Sequence, residues 1–430
     1  MSFQFSQDQH DAITGICDKL LDPNTPSHVL AVLTGSAGTG KTTVITEIIK
    51  QINQQSSVTV EVCATTNRAA TILQDITGEA VITAHSLFKL RPTITKFGKE
   101  TLKSTGYCDI LKGSVVIIDE SSMIGNKFLT AIVDIVKEKS LKILFVGDSF
   151  QLPPPSDICS IFDGSLLTFT LTKIHRQLGD NPILDKANEF REYIEGIRNT
   201  EPTLETDINS KGEGIHILSH AEFVTNFVQK YIDYSAGAEV DVPLCTYTNE
   251  SAINYNSMIR KAAYFLEDTI EPFYKGEKLL ANSVVMEGDK TVLTNNETVY
   301  ILAYLEGELH DISGYHLTLK GDYNKYTKTN VKHVFAPKTK AAADKVLNEW
   351  KSDAMLNKSK KSWQAYYAIK NSLADLRPPF AGTTHKAQGG TFPAVFIDKL
   401  NINKCRDKTT KARLFYVALT RASENVYINS

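Results

Sequence analysis

A glycine-rich segment has the residue types and spacing of a phosphate-binding loop: Gly35-Ser36-Ala37-Gly38-Thr39-Gly40-Lys41-Thr42, followed by Thr43. Glycines let backbone N–H groups turn inward at a helix N-terminus, where they hold phosphate oxygens. In such a loop Lys41 reaches the β- and γ-phosphates, and Thr42 ligates Mg²⁺ through its hydroxyl. The segment therefore predicts a binding site for ATP and Mg²⁺.

Two acidic residues and an amide follow the ends of further apolar segments. Asp119 and Glu120 come directly after the apolar run 115–118, and Gln151 follows a later one. In a parallel sheet, Asp119 would lie beside the phosphate loop and hold the Mg²⁺ shell, while Glu120 would polarise the attacking water as a general base. Gln151 is placed to sense the γ-phosphate. The alternative for the acidic pair is a strand cap without chemistry.

Two arginines farther along the chain, Arg176 and Arg421, are candidates for completing this site. A guanidinium is always charged and bidentate, so it can neutralise the charge that develops on the γ-phosphoryl oxygens. Gln388, in the same C-terminal half as Arg421, is placed to reach the γ-phosphate as well. Gln9 precedes the first strand, where a side-chain amide can read an adenine edge. For each arginine the alternative is a purely structural role.

The elements that must position these residues alternate between strand and helix. The apolar run 29–33 precedes the glycine loop, and apolar residues recur at helical spacing over 43–52, so strand, turn and helix follow in order. A further helical pattern spans 127–137. Buried-strand candidates are 59–64, 114–118 and 141–146. This alternation predicts a parallel sheet covered by helices.

A second sheet of the same type is predicted from four short apolar runs, 215–218, 242–247, 394–398 and 425–428. The last two lie far from the first two, which indicates an insertion. We predict a first lobe at 1–175 with a small insertion at about 88–112, and a second lobe at 176–264 and 379–430. The inserted domain is 265–378, with a small β-barrel at about 265–335 and helices at about 339–376.

The helical part of this insert is basic and aromatic. It contains Trp350, Trp363, Tyr366 and Tyr367 among many lysines. A basic helical arm with aromatic side chains can grip a nucleic-acid strand. The alternative is a solvated helical hairpin whose aromatic residues pack it together.

Composition bounds the class of protein. At 430 residues and 47.7 kDa, with 42% hydrophobic and 22% charged residues, the chain fits two to four globular domains. A net charge of −2 argues mildly against nonspecific coating of nucleic acid, although a narrow basic channel remains compatible with it. The N-terminal residues lack the pattern of a secretion signal, no apolar run suits a membrane span, and the six cysteines are scattered. We expect a cytoplasmic protein with reduced cysteines.

Taken together, these segments resemble the superfamily 1 helicases, in the branch that includes RecD and the Dda-type helicases of T-even phages. The likeness runs from Gln9 to Arg421 with the motifs in order, and it is most specific at 64–70, 147–155, 248–256, 384–391 and 416–422. It implies an α/β fold of two RecA-like P-loop NTPase lobes with parallel sheets and ATP in the cleft. A small pin insertion in the first lobe and an SH3-like β-barrel plus helical arm in the second are also implied.

The resemblance further implies 5′→3′ travel on single-stranded DNA, with strand separation at a β-hairpin pin within 90–107. Phe97 is a candidate for its base-stacking tip, and the alternative is a plain hairpin turn at 95–99. Short hydroxyl and amide side chains at strand ends hold phosphates without reading bases, which suits a motor that ignores sequence. Two segments depart from the family wording, Thr65-Thr66-Asn67 and Asn295-Asn296-Glu297. The implied DNA contacts are Thr66, Asn67, His85, Ser86, Phe97, Thr248, Asn249, Thr384 and His385.

Three functions compete. The first is an ATP-driven 5′→3′ DNA helicase that acts on single strands and on junctions between single and double strands, functional as a monomer and in the host cytoplasm if phage-encoded. A single-stranded-DNA-binding protein is a candidate partner. The second is a translocase that displaces bound proteins and unwinds little. The third is a recombination mediator that uses ATP as a switch, against which the pair Glu120 and Gln151 argues, because a switch needs no positioned water.

Overall fold

Two six-stranded sheets with flanking helices and a five-stranded antiparallel sheet form the main part of the computed structural model. It describes residues 4–22, 28–94, 100–104, 106–154, 157–174, 181–235, 242–263, 271–288, 290–321, 331–357 and 359–430. We call the parts around the first and second six-stranded sheets the first and second lobes, and residues 271–378 the insert.

The first lobe is built on a wholly parallel sheet with the strand order β3-β2-β6-β7-β1-β8. Because the strands are parallel, the carboxyl ends of β6, β7 and β1 meet at one edge. Its elements are α1 (Gln7–Leu21), β1 (Leu30–Gly35), α2 (Lys41–Gln55), β2 (Val60–Ala64), α3 (Asn67–Thr77), β3 (Ile82–Thr83), α4 (Ala84–Leu87), β4 (Leu90–Ile94), β5 (Glu100–Ser104), β6 (Val115–Asp119), a 3₁₀ turn (Ser121–Met123), α5 (Asn126–Glu138), β7 (Lys142–Gly147) and β8 (Leu167–Leu171).

Both faces of this sheet are covered, which explains the continuous apolar runs in its strands. Successive side chains of β1 enter opposite cores: Ala31 and Leu33 pack with α1 and α2, whereas Val32 packs on the face covered by α5. All three are fully buried. The sheet is therefore a rigid base for the loops at its carboxyl edge.

The remaining elements belong to the second lobe and the insert. In chain order they are α6 (Pro182–Glu195), β9 (Asp207–Ile208), β10 (Gly214–Leu218), α7 (His220–Ser235), β11 (Leu244–Thr246), α8 (Asn249–Ala263), β12 (Lys278–Ala281), β13 (Val285–Glu287), β14 (Lys290–Leu293), β15 (Thr298–Leu309), β16 (Ile312–Gly321), β17 (Val331–Pro337), α9 (Lys340–Asn357), α10 (Lys360–Ser372), β18 (Leu376–Arg377), β19 (Ala381–Thr383), a 3₁₀ helix (Thr384–Ala387), β20 (Phe392–Ile397), α11 (Lys399–Ile402), α12 (Lys408–Leu419) and β21 (Ala422–Asn429).

The second sheet has the order β19-β11-β20-β21-β10-β9 and is parallel except for the edge pair β9–β10. Strands β19, β20 and β21 come from the end of the chain, yet they pair with β10 and β11. The segment between α8 and β19 therefore leaves this sheet and returns to it, as the spacing of the apolar runs predicts. The strand predicted over 242–247 is shorter in the structure, Leu244–Thr246.

The insert holds the antiparallel sheet β17-β16-β15-β12-β18 and the helical hairpin of α9 and α10. Among the described residues its outer strands are β17 and β18, and closure into a barrel stays a prediction. Trp363 and Tyr366 are buried with Ala354 between the two helices, their rings 5.8 Å apart. These aromatic residues pack the hairpin, which is the second of the two interpretations of this basic arm.

Strands β4 and β5 form an antiparallel pair that packs against α4 and α5 of the first lobe, and α10 of the insert contacts β4. The segment between the two strands, which includes Phe97, lies outside the described residues. A role in strand separation stays a prediction.

Other features concern the part of the chain that the structure describes. None of the helices there has the length and apolar character needed to cross a bilayer. No group of three His, Cys, Asp or Glu side chains there is arranged to hold a metal ion. The six cysteines are free thiols.

Candidate functional site

The glycine loop lies between β1, which ends at Gly35, and α2, which begins at Lys41. Gly38 and Gly40 have φ values of 85° and 81°, in the left-handed region that favours glycine. A Cβ at Gly40 would also collide with the side-chain amide of Gln9. Backbone conformation and packing thus both require glycine at this position.

The Lys41 ammonium lies over the loop. It donates to the carbonyl oxygens of Gly35 and Ser36 at 2.8 and 3.0 Å. Thr39 Oγ1 donates to the same Ser36 oxygen at 2.9 Å, and the buried Ser36 hydroxyl has no partner among the described residues. The loop therefore presents a cation and a free hydroxyl next to a helix N-terminus, an arrangement suited to phosphate oxygens.

Gln9 is fully buried beside this loop. Its Nε2 donates to the Thr39 carbonyl at 3.0 Å, and its Oε1 accepts from the Ser6 backbone N–H at 3.1 Å. The amide therefore holds the loop in place. Reading of an adenine edge stays a prediction for its remaining N–H.

Asp119 and Glu120 lie at the end of β6, on the sheet edge where the loop also lies. The Glu120 N–H donates to Asp119 Oδ1 at 2.8 Å. Burial, followed by the neighbouring Glu120 charge, raises the pKa of Asp119, and the Lys41 charge partly opposes this. At a partly buried carboxylate with a raised pKa, a divalent cation stabilises the charged form.

These residues fit a magnesium ion. Thr42 supplies a hydroxyl and Asp119 a carboxylate, and Mg²⁺ prefers hard oxygen ligands, completed by water and substrate phosphates. Glu120 Oε2 is buried and has no hydrogen-bond partner among the described residues. Such an orphaned carboxylate oxygen can accept a proton from a water molecule held beside the phosphates.

Two buried amides, one from each lobe, meet across the cleft between the glycine loop and the second lobe, which we call the nucleotide cleft. Gln388 Nε2 donates to Gln151 Oε1 at 3.3 Å and to the Leu152 carbonyl at 3.1 Å. Gln388 Oε1 has no partner in the described part of the chain. The structure thus brings together the two glutamines that were predicted separately.

The Arg421 guanidinium is buried within the second lobe. It donates to the carbonyls of Val417 and Gly390 at 3.3 and 3.1 Å, and to Thr420 Oγ1 at 3.2 Å. A contact with phosphate requires it to exchange some of these bonds. Arg176 lies in 175–180, outside the described residues.

Sequence reasoning missed two residues of α12 that fasten the second lobe to the loop after β7. Tyr416 donates to Asp148 Oδ2 at 2.6 Å, and Arg413 donates to the carbonyls of Ser149 and Gln151 at 2.7 and 2.6 Å. Burial and the Asp148 charge raise the pKa of Tyr416. The sequence did offer a signal for Tyr416, because its hydroxyl lies within the apolar segment 414–419 and a buried hydroxyl needs a hydrogen-bond partner.

A cavity of about 1760 Å³ lies between the first lobe, the insert and the second lobe, and we call it the central cavity. It brings together six of the residues for which DNA contacts are predicted, although they come from distant segments. These are Thr66, Asn67, His85, Ser86, Asn249 and His385.

Two of the remaining predicted contacts do not line the central cavity. Thr384 is fully buried and donates from Oγ1 to the Thr246 carbonyl at 3.1 Å. Its side chain therefore supports β11 and is not available to DNA in this conformation. Thr248 exchanges hydrogen bonds with Asn401 and caps α8. Phe97 is outside the described residues.

The two segments that depart from the family wording are in contact. Asn67 Nδ2 donates to Thr294 Oγ1 at 2.9 Å and to the Asn295 carbonyl at 3.2 Å, which joins α3 to the turn between β14 and β15. Asn296 in that turn has φ 61°, a conformation that asparagine tolerates better than most residues. The first lobe and the insert thus close one side of the cavity.

The wall of the central cavity carries more positive than negative charge, although the whole chain has a net charge of −2. Its charged residues are Arg68, Lys127, Lys332, Arg377 and Lys386 against Asp75, Asp157 and Glu297. A net charge of −2 is thus compatible with a local basic surface, and such a surface suits a polyanion.

Comparison with known proteins agrees with the resemblance to superfamily 1 helicases. Residues 4–218 match the AAA domain family, and residues 379–429 match the UvrD-like helicase C-terminal domain. The ATP-dependent DNA helicase dda of phage T4 is 23% identical over 92% of this chain and 93% of its own length. The RecD2 DNA helicase of Deinococcus radiodurans is 32% identical over 37% of this chain and 21% of its own. An uncharacterised mimivirus protein is 22% identical over 95% of this chain and 97% of its own.

Solved structures share the fold. The Pif1 helicase of Candida albicans has a TM-score of 0.50 at 17% identity, covering 100% of this chain and 94% of that one. A Bacteroides Pif1 helicase, solved with ADP-AlF3 and single-stranded DNA, has a TM-score of 0.52 at 16% identity, covering 100% and 93%.

The contact between Tyr416 and Asp148 can be tested through stability. Tyr416→Phe removes the hydroxyl and leaves the ring in place, so Asp148 loses a buried donor. We expect the free energy of unfolding to fall by about 1.5–3 kcal/mol, measured by urea denaturation of the full chain. Tyr107→Phe, at a ring that is 80% exposed, is the control and should change little. In the double variant with Asp148→Asn the losses should be less than additive, and additive losses would contradict the proposed pairing.

Proposed function

Because this chain belongs to the superfamily 1 helicases of the Dda, RecD and Pif1 type, which are ATP-hydrolysing DNA helicases, we propose a direction and a mechanism for it. It travels 5′→3′ along single-stranded DNA and separates the duplex as it moves. The direction is inferred from the family alone, and the observation that supports coupling of hydrolysis to movement is the position of Gln388. It lines the central cavity and also bonds to Gln151 in the nucleotide cleft, so one residue touches both sites.

ATP hydrolysis is assigned to the edge of the first sheet. The glycine loop and Lys41 hold the phosphates, and Thr42 and Asp119 hold Mg²⁺, which when bound neutralises phosphate charge. Glu120 accepts a proton from the attacking water through its buried Oε2. Gln151 and Gln388 orient the γ-phosphate and the water from opposite lobes.

Closure of the nucleotide cleft couples this chemistry to movement. When the lobes approach, Arg421 exchanges its bonds to Gly390 and Thr420 for phosphate oxygens, and Arg176 joins it. The shift moves the 3₁₀ helix and Gly389, which lies close to Thr66 and Glu120 of the first lobe. The side of the central cavity formed by the second lobe then moves relative to the side formed by the first.

DNA is assigned to the central cavity. Its wall offers hydroxyl, amide, imidazole and cationic groups, which suit contacts to the sugar–phosphate backbone that are independent of sequence. The presence of single-stranded DNA in the related Bacteroides structure supports this assignment. The hairpin of β4 and β5 is the proposed separating element, and the chain is proposed to work as a monomer with a single-stranded-DNA-binding protein as a candidate partner.

Lys41→Ala should reduce ATP turnover by at least about 100-fold, because it removes the cation that stabilises charge on the β- and γ-phosphates. The measurement is phosphate release with single-stranded DNA present. Lys211→Ala, at an exposed lysine between β9 and β10, is the control and should retain wild-type turnover. Normal hydrolysis by Lys41→Ala would refute the assignment of the glycine loop.

Glu120→Gln should retain binding of ATP and DNA while hydrolysis falls about 100-fold or more, since an amide of the same shape cannot accept the proton. Nucleotide binding is measured by equilibrium titration and hydrolysis in a single turnover. Loss of ATP binding would mean that the acid is structural.

Direction is tested with two partial duplexes of identical sequence, one with a 5′ and one with a 3′ single-stranded tail, incubated with ATP and Mg²⁺. We expect unwinding of the 5′-tailed substrate alone, and none with Lys41→Ala. Unwinding of only the 3′-tailed substrate would reverse the proposed direction. DNA-stimulated ATP hydrolysis without unwinding would favour the translocase, and slow hydrolysis that is independent of DNA would favour the ATP-switched mediator.

A further inference from the structure

Two glycines of the second lobe, Gly389 and Gly390, form a turn that packs on the first lobe, and we call it the Gly-Gly turn. Gly389 has φ 77°, in the left-handed region that favours glycine. A Cβ placed on it would lie 3.5 Å from Ala69 Cβ, 3.8 Å from Thr66 Oγ1 and 4.0 Å from Glu120 Cγ. The position of this turn therefore decides how closely the second lobe packs on the candidate general base.

The second glycine of the turn faces an arginine of the first lobe. A Cβ on Gly390 would lie 3.1 Å from Arg68 Cζ and 3.0 Å from two atoms of the Phe392 ring. The Arg68 guanidinium itself packs on that ring, with Cζ 4.4 Å from the ring centroid. A cation over an aromatic face is attracted by the ring quadrupole. This contact joins α3 of the first lobe to β20 of the second.

Phe392 is a fixed support for that contact, because its ring is buried in the core of the second lobe. Its N–H donates to the Arg421 carbonyl at 2.8 Å, and its carbonyl accepts from Ser423 Oγ at 3.2 Å. Beside it, the Gly390 carbonyl accepts from Arg421 Nη1 at 3.1 Å. The Gly-Gly turn therefore lies between two catalytic candidates, Arg421 and Glu120.

We propose that Arg68 is a positioning residue for ATP hydrolysis, because its contact with Phe392 keeps the Gly-Gly turn against Glu120. This inference rests on the proposed function, in which Glu120 is the general base. When Arg421 leaves the turn for phosphate oxygens, the contact between Arg68 and Phe392 remains and holds the turn in place. The turn limits the space beside the Glu120 side chain, so the carboxylate stays directed at the attacking water.

The alternative role for Arg68 is a direct contact with DNA, since this residue also lines the central cavity. The two roles predict different results. A contact with a DNA phosphate contributes to the salt dependence of DNA affinity and affects turnover only when DNA is present. A positioning role changes the rate of hydrolysis without DNA as well.

The test is ATP hydrolysis by the full chain in a single turnover, at saturating ATP and without DNA, with ATP affinity measured separately by equilibrium titration. Arg68→Gln should lower the rate constant about 3- to 5-fold and leave the ATP affinity unchanged, which is the effect of losing a partly exposed cation–π contact. Arg68→Lys should restore most of the rate, because an ammonium also binds an aromatic face. Arg406→Gln, at an exposed arginine between α11 and α12, is the matched control and should keep the wild-type rate.

The pairing of the two side chains is tested by a double variant. Phe392→Leu removes the ring and should slow hydrolysis by a similar factor. Adding Arg68→Gln to it should change the rate little further, because both substitutions remove the same contact. Phe190→Leu, at another buried ring of the same core, controls for lost packing and should leave the rate unchanged.

The outcomes distinguish the two levels of inference. If Arg68→Gln hydrolyses ATP at the wild-type rate without DNA, or if the two losses multiply in the double variant, the positioning role is refuted. A reduced salt slope of DNA affinity with unchanged hydrolysis would make Arg68 a DNA contact instead. If Glu120→Gln hydrolyses ATP normally, the proposed general base itself fails, whatever the Arg68 variants do.

Discussion

Among the hydrogen bonds that fasten the two lobes together, the one from Tyr416 to Asp148 is the bond that satisfies a fully buried carboxylate. A buried carboxylate is costly unless donors surround it, and here the donors are the Tyr416 hydroxyl and the Phe150 backbone N–H at 2.9 Å. Leu152, four residues on, packs into the core of the second lobe. The loop after β7 thus begins at the first sheet, and its far end packs into the second lobe through Leu152. Gln151 lies between Asp148 and Leu152.

That arrangement gives the nucleotide cleft and the central cavity a common wall. The 3₁₀ helix of the second lobe presents Lys386 to the cavity, and Gln388, which follows it, lines the cavity and donates to Gln151 and Leu152. On the other side, Asn67 joins the first lobe to the insert. A change in distance between the lobes must therefore alter both sites together. This is the physical requirement for coupling hydrolysis to movement along a strand.

Much of this fold could be predicted from the sequence, because strands buried on both faces produce continuous apolar runs. Strands β1, β6 and β7 lie within a residue or two of their predicted bounds. The edge strands β3 and β9 were not predicted, since two residues each are too few to show a period. The glycine loop was legible because its residues are consecutive. The contacts of Arg413 and Tyr416 were not, because they join segments more than two hundred residues apart.

The structure adds to the sequence motif the backbone conformation and the surroundings of Glu120, the candidate general base. Its backbone has φ 53°, in the left-handed region that non-glycine residues avoid at a cost of about 1–3 kcal/mol. Thr65 Oγ1 donates to its carbonyl at 3.1 Å, and its own N–H is bonded to Asp119, so the neighbours hold this conformation. The strained backbone directs a carboxylate oxygen into a buried place without a partner among the described residues. The strained backbone and the unpartnered carboxylate oxygen both cost stability. Both are expected of a general base whose hydrogen-bond partner is the attacking water.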